Sequence, residues 1–371
     1  MVRLTRAQQQ ERTRASVLVA AREEFTEHGY ALAKVDRIAE RAELTRGAVY
    51  SNFPSKRALY LAVLIDMVEN TATAEPPSSS SPSSPADALG MFARVWLERL
   101  PLVEDTAPGG RLQLRSLVSV LDEQDGRTVL AQVARLEALL LATALESCES
   151  ARTESVRRVR LAALVLTLLD GSGHLAETAP GSGDPFDVAR ACQHLAGIDL
   201  ADTWAPPHLP SVAPAQPCRD TWDPPAGLAD RIRGARVDLG ADGVIAVLGA
   251  GRLAAAEEAV RSARPGEQVT VVIVMSDPAE TGRLVRLRIT DLTGCLRRVF
   301  AADALPPLRL VLDDQATVAS VLGLPDPDDE TEVAVRIQGG AIVARAHGRG
   351  AAYAAATAPA SNTAQPRKAR T

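Results

Sequence analysis

The stretch VDRIAERAELTRGAVYSNFPSKRALYLAVL, from Val35 to Leu64, decides how the chain reads. Val35, Ile38, Ala39 and Ala42 fall at i, i+3, i+4 and i+7, one apolar face of a short helix. Glu43 and Leu44 make a turn, and the Thr45 hydroxyl is placed to cap a second helix. That helix runs about nine residues to Phe53, or ~13 Å, a length that fits a major groove ~12 Å wide. Val49 and Phe53 are expected to face a core, which leaves Arg46, Ala48, Tyr50, Ser51 and Asn52 on the other faces. Arg46, Ser51 and Asn52 carry hydrogen-bonding groups for base edges or phosphates. Tyr50 joins a flat apolar body to a hydroxyl, and Ala48 offers a methyl for thymine. Gly47 allows another backbone to approach. This is helix-turn-helix chemistry. The bland alternative makes Tyr50 and Phe53 core aromatics of a helical bundle, and Arg46 and Lys34 solvated surface charges.

Outward from this stretch, Val17, Leu18, Ala21 and Phe25 line an upstream helix, and Leu59, Ala62, Val63 and Met67 a downstream one. The run Glu75-Pro-Pro-Ser-Ser-Ser-Ser-Pro-Ser-Ser-Pro85 is too polar and proline-rich for a helix and reads as a linker. Helical periodicity returns at 86–100, 111–123, 127–149, 153–170 and 185–197. Seven prolines between Ala205 and Pro225 read as a second connector. Beyond it, β-rich apolar runs at Val244–Leu248, Val269–Met275, Leu308–Leu312, Val333–Ile337 and Ala341–Ala344 alternate with helical stretches at 253–264, 279–300 and 315–322. Gln338-Gly-Gly340 reads as a hairpin turn. The expected organisation is a helix-turn-helix head at 1–70, a linker at 71–85, a helical domain at 86–204, a linker at 205–226, a small α/β domain at 227–357 and a polar tail at 358–371.

The chain has 371 residues, 46% apolar and 23% charged, which suits several globular domains. No uninterrupted run of about 18 apolar residues occurs, so no membrane span is expected. The polar start MVRLTRAQQQERTR has no export signal, and the cytoplasm is the expected compartment. Cys148, Cys192, Cys218 and Cys295 form no CxxC, so neither a zinc site nor a dithiol centre is expected. Net charge is −5, yet residues 1–57 carry eleven Lys and Arg against seven Asp and Glu. The tail adds Arg367, Lys368 and Arg370. A basic end on an acidic body is the asymmetry of a chain whose head alone meets phosphate.

The motif Tyr50-Ser-Asn-Phe53, Pro54-Ser-Lys56, Leu59-Tyr60-Leu61, with Phe25, Gly29-Tyr30 and Ile38-Ala39 upstream, closely resembles the tetracycline-repressor (TetR) family of transcriptional regulators. The clear resemblance covers Arg12 to Met67, under a fifth of the chain. It implies that Arg46, Gly47, Ala48, Tyr50, Ser51 and Asn52 face DNA behind the Thr45 cap, and that Lys56 binds a phosphate. Two departures stand out. Ala33 and Lys34 replace a usual Thr or Ser, removing a hydroxyl cap, although Lys34 can supply charge to a phosphate. Glu43 replaces the family's turn glycine. By resemblance, the helical block senses a small-molecule effector and dimerises, with Leu161, Leu164, Val165 and Leu168 on a suitable face. Burial within one chain is the alternative for that stripe. Met91, Phe92, Trp96 and His174 are candidate pocket residues, though core packing suits them as well.

Family members usually stop near the end of this block. The extra region looks like a thioredoxin-like domain in layout, but no cysteine stands at its first helix, so no dithiol activity is expected. A rival reading takes Gly249-Ala-Gly-Arg-Leu-Ala254 as a G-x-G-x-x-A dinucleotide fingerprint. The expected whole is a non-enzymatic, cytoplasmic, homodimeric repressor that binds a palindromic double-stranded operator, with no catalytic residue, metal or cofactor. The alternative is a redox or dinucleotide-binding enzyme or sensor with an accessory head.

Overall fold

The computed structural model describes residues 5–74, 81–98, 117, 120, 124–148, 157–179, 181–302, 305 and 307–359. The helix expected at 111–123, the basic tail and most of the serine-rich linker therefore lie outside the described residues. The chain divides into two compact units. One holds residues 1–202 together with 277–306, and the other holds 203–276 and 307–371.

The first unit is helical. α1 (Arg6–Leu32) opens with a capping box, in which the Gln8 N–H donates to Thr5 Oγ1 and the Thr5 N–H donates to Gln8 Oε1. It kinks at Gly29, whose φ of 67° lies in the left-handed region. Then follow α2 (Val35–Arg41), α3 (Arg46–Asn52) and α4 (Lys56–Ala74). The body contains α5 (Pro85–Leu97), α6 (Gln124–Glu146), α7 (Val159–Thr178) and α8 (Pro185–Leu195). Ser84 and Asp184 cap α5 and α8, each just ahead of a proline at the first helical turn. Phe92 and Trp96 are fully buried in α5, whereas His174 is exposed on α7. Phe92 and Trp96 are therefore core, and their rings meet at a tilt with centres 5.7 Å apart. Leu161 and Val165 are also buried within the chain, so only part of the expected dimer stripe remains outside.

Two helices, Gly126–Glu146 and Val159–Ala176, are long and apolar enough to cross a membrane by length and composition. Counting uninterrupted apolar runs had missed them. Two thirds of the first one's apolar stretch (67%) is buried, as the core helix of a bundle would be.

The second unit is a six-stranded mixed sheet, ordered β1-β6-β5-β2-β3-β4. β2 (Gly243–Gly249), β3 (Gln268–Val274) and β4 (Leu308–Leu312) run parallel. β5 (Glu332–Gln338) lies antiparallel to β2 and forms a hairpin with β6 (Ala341–His347). Gly339 and Gly340, at φ 57° and 73°, make its turn as the sequence predicts. β1 (Gln216–Thr221) pairs with β6 and was not expected, because Pro217 lies inside the connector region. An edge position explains it, since proline cannot serve two neighbouring strands. Ile245, Val247, Val272, Val274, Val335 and Ile337 build one core face with Trp222, whose indole N–H donates to Leu239 O at 2.7 Å. The helices of this unit are α9 (Ala255–Ser262), α11 (Thr317–Val321) and α12 (Ala351–Thr357).

α12 was not expected either. At seven residues, AAYAAAT is too short to stand alone. β5 holds both of its ends. Glu332 accepts from the Gly350 and Ala351 N–H groups at 2.6 and 3.1 Å, and the buried Arg336 donates to Ala355 O and Ala356 O at 3.1 and 2.8 Å. A carboxylate at the N-terminus and a guanidinium at the C-terminus both complement the helix dipole.

The sequence expectation differs from the structure most at α10 (Thr281–Val299). This helix follows β3 and precedes β4, where a crossover helix of a small α/β domain belongs, but it is part of the helical unit. There it packs against α4, α5 and α6. Arg288 of α10 meets Glu137 of α6 through two hydrogen bonds of 2.9 and 2.7 Å, both side chains being buried. Burial alone would lower the Arg288 guanidinium, but the Glu137 and Asp170 charges outweigh it and hold it above its ordinary value. We expect Arg288→Leu to destabilise the protein by about 3–5 kcal/mol, because it strands a buried carboxylate. The double variant Arg288→Leu, Glu137→Leu should recover most of that loss in urea unfolding.

Candidate nucleic-acid interface

The interface is built on α2, the turn after it, and α3. α2 ends in a Schellman closure, with the Leu44 N–H donating to Ala39 O at 2.9 Å and the Glu43 N–H to Glu40 O at 3.1 Å. Glu43 sits at the left-handed position with φ 55°, where glycine carries no steric penalty. At the other end of α2, Lys34 occupies the N-cap without a side-chain cap bond. The buried Glu24 of α1 serves a different donor, accepting from the N-cap residue's own Lys34 N–H at 3.1 Å.

Thr45 caps α3 through Oγ1, which accepts from the Ala48 N–H at 3.2 Å. Val35, Ile38, Ala39, Val49 and Phe53 are buried together, so α3 turns its apolar edge inward. Thr45, Arg46, Gly47, Tyr50 and Ser51 are exposed, and Ala48 and Asn52 are half-buried. The Arg46 guanidinium lies over the Tyr50 ring at 5.4 Å and reaches Asp36 at 3.4 Å. Both partners of that ion pair are well exposed, so it holds Arg46 only weakly. Ser51 Oγ and Asn52 Nδ2 both donate to Ala48 O at 2.9 Å, which orients their side chains along the helix. A Cβ added to Gly47 would meet only Thr45 Oγ1, at 3.9 Å. Among the described residues no backbone outside α3 comes within 4 Å of that Cβ position, so the close approach expected there has no partner among them.

Lys34 is exposed beside this surface. Lys56 is differently placed. Its ammonium donates to Ala31 O at 3.2 Å and lies 4.9 Å from the Tyr30 ring centre, and burial lowers it below its ordinary value. It ties the end of α1 to the start of α4. Tyr30 belongs to an aromatic cluster with Phe25 and Tyr60, with ring centres 4.9 to 6.3 Å apart. Phe53 is flanked by two guanidinium groups, Arg14 at 4.8 Å and Arg283 at 5.2 Å. The role of Arg283 could not be found from sequence, since it stands 230 positions away with no local pattern.

Glu24, Glu27 and His28 bring three potential metal-ligand atoms within 4.8 Å of one another. These groups are already engaged: Arg41 binds Glu27 at 3.0 and 2.5 Å, and Arg37 contacts His28 Nε2 at 3.0 Å. The cluster reads as an ion-pair network.

The rival dinucleotide site fails on geometry. The Gly249 and Gly251 N–H groups donate to Thr331 O and Asp329 O at 2.7 and 2.8 Å. A Cβ at Gly249 would lie 2.3 Å from Asp328 O. The glycines admit the chain's own acidic 328–331 segment, and that segment takes the amides a pyrophosphate would need. The cysteines are all free thiols; burial pushes Cys192 up to about 11, away from thiolate chemistry.

Comparison with known proteins agrees with this geometry. Residues 17–63 match the family model of bacterial regulatory proteins, tetR family. The head is thus a TetR-type helix-turn-helix domain. The chain is 46% identical over 57 residues to the HTH-type transcriptional activator FasR of Mycolicibacterium smegmatis, a match covering 15% of this chain and 26% of that protein. It is 37% identical over 98 residues to the HTH-type transcriptional regulator TtgR of Pseudomonas putida, covering 26% of this chain and 45% of that one. The matches thus span between a quarter and a half of these relatives' length. Among solved structures, NalD, the secondary repressor of the MexAB-OprM multidrug efflux pump in Pseudomonas aeruginosa, aligns at 19% identity over 50% of this chain and 96% of its own, with a TM-score of 0.33.

Two substitutions check the local reading. Glu43→Gly should stabilise the protein by about 1 kcal/mol in thermal unfolding, because it relieves a left-handed backbone. Glu24→Ala should cost about 1–3 kcal/mol, because it leaves the Lys34 N–H without its acceptor.

Proposed function

We propose that the protein is a DNA-binding transcriptional regulator whose α3 enters the major groove. Thr45, Arg46, Gly47, Ala48, Tyr50, Ser51 and Asn52 would form the reading surface, with Lys34 and Lys56 adding phosphate contacts. The observation that carries this reading is the exposed polar flank of α3 around a glycine that the chain's own packing does not require. In its finer form the protein is a cytoplasmic homodimer that reads a palindromic operator, represses, and responds to a small-molecule effector. A dimer is supported by apolar side chains left outside on α7 and α8: Leu164, Leu175 and Phe186 are 39%, 52% and 77% exposed. Two heads are also needed because one recognition helix reads few base pairs. For the second unit we keep the thioredoxin-like layout as a proposal. Parallel β2 and β3 followed by the β5–β6 hairpin support it, and the departure of α10 weighs against it.

The test is a salt-titrated binding assay with the region upstream of the protein's own gene. Specific duplex should bind more tightly than random duplex, and both should weaken linearly in log–log salt. Equal binding of the two at every salt concentration would sink the proposal. Gly47→Ala should leave thermal stability unchanged or raise it, since alanine favours a helix. It should weaken specific binding about tenfold, the scale of one lost recognition contact. Leu164→Glu combined with Phe186→Glu should yield monomers by light scattering and lose the preference for paired half-sites.

A further inference from the structure

α10 is covalently continuous with the sheet of the second unit at both ends, through β3 and β4, yet its side chains are committed to the helical unit. Its first turn meets the DNA-reading head. The Glu280 carboxylate accepts from Ser55 Oγ and from the Arg57 guanidinium. Ser55 is also the residue whose Oγ accepts from the Ala58 N–H at 2.9 Å, closing the first turn of α4. Three residues further along α10, Arg283 donates to Ala58 O at 3.1 Å and lies against the Phe53 ring. Phe53 ends the recognition helix and Ser55 begins the next one, so one turn of α10 grips the joint between them. Farther along, α10 is anchored to the body by Arg288 on Glu137, and by Arg298 on Glu98 at 2.8 Å.

These contacts make α10 a strut between the helical body and the head. A single helix pinned in the body and gripping the α3–α4 joint fixes the angle at which α3 is presented. We propose that Glu280 and Arg283 are positioning residues for DNA recognition, and that through them α10 sets the angle of α3 within the helical unit. They act through Ser55, Arg57, Ala58 and Phe53. This inference rests on the DNA-binding reading above and deepens it by naming the residues that hold the recognition helix.

The test uses the full-length protein and the variants Glu280→Ala, Arg283→Ala, Arg57→Ala and the double variant Arg57→Ala, Glu280→Ala. In the binding assay, Glu280→Ala and Arg283→Ala should each weaken specific operator binding about tenfold, within the usual range of site-to-site coupling. The ratio of specific to random affinity is the readout, since each variant also changes one charge beside the head and charge alone moves binding to random duplex. The double variant should lose less affinity than the two single losses added together, because both single variants remove the shared Arg57–Glu280 pair, while only Glu280→Ala also removes the Ser55 contact. Amide hydrogen exchange gives a second readout that needs no DNA. Residues 46–58 should exchange faster in Glu280→Ala while α6 and the sheet keep wild-type protection. Uniformly faster exchange would indicate general destabilisation and overturn the positioning role. So would wild-type operator affinity in both single variants, or affinity above wild type. If the wild-type protein does not prefer operator over random duplex, the DNA-binding reading falls by itself, and the exchange measurement still decides whether α10 orders the α3–α4 joint.

Discussion

Phe53 has to be buried on one side of a helix whose other side must stay in water. The short α3 cannot meet that demand alone, since seven residues give too few contacts to hold a helix in place. α1 supplies Arg14 and α10 supplies Arg283, one guanidinium each against the same ring. Aromatic burial flanked by two cations is a directional contact, because ring faces attract guanidinium groups. Once Phe53 is fixed this way, Val49 lies one helical turn before it and is buried as well, and Arg46, Tyr50 and Ser51 are left outward by the helical period. The reading surface is therefore a consequence of how one aromatic residue is held.

Much of this head was legible. Its helices are amphipathic over short distances, and its cap and turn residues lie within a few positions of what they serve, so periodicity and local hydrogen-bond rules suffice. The compensation at Lys34 was not legible. Losing a capping hydroxyl is visible in sequence, but the acceptor that anchors the Lys34 N–H, Glu24, comes from another helix ten positions earlier and looks like an ordinary surface acid. In the second unit the strands announced themselves by β-branched runs, while β1 and α12 did not. β1 owes its strand to an edge position that tolerates Pro217. α12 owes its helix to Glu332 and Arg336, four residues apart on β5, so neither element is encoded by its own composition.

The glycine turn at 249–251 shows the same limit from the other side. A glycine pattern after a strand records that some group must come close, but not which group. Here the visitor is the backbone of 328–331, whose carbonyls take the same amides that an anion would take. At Gly47 the pattern is reversed: the space is open and no internal group enters it. Comparing the two glycines separates a packing requirement from a binding opportunity, a distinction that depends on coordinates.

Charge needs the same treatment. Residues 1–57 hold eleven cationic side chains, and a simple count makes the head strongly attractive to phosphate. Several of those charges have internal duties. Arg41 is bound to Glu27, Arg37 to His28, Arg57 to Glu280, Lys56 to a backbone carbonyl, and Arg14 to an aromatic face. A cation already paired with a carboxylate adds little net field toward DNA, since its partner cancels most of it beyond a few ångströms. Of the five, Arg41 and Arg57 have carboxylate partners; net of its seven Asp and Glu the segment carries +4, a modest attraction for a duplex, and the rest of the chain is net acidic. With a modest electrostatic term, affinity has to come from the fit of α3 to its bases, and fit depends on angle. A head short of free charge is the kind that gains most from having its recognition helix held rigidly, which is why the grip of α10 on the α3–α4 joint matters more here than it would on a strongly basic domain.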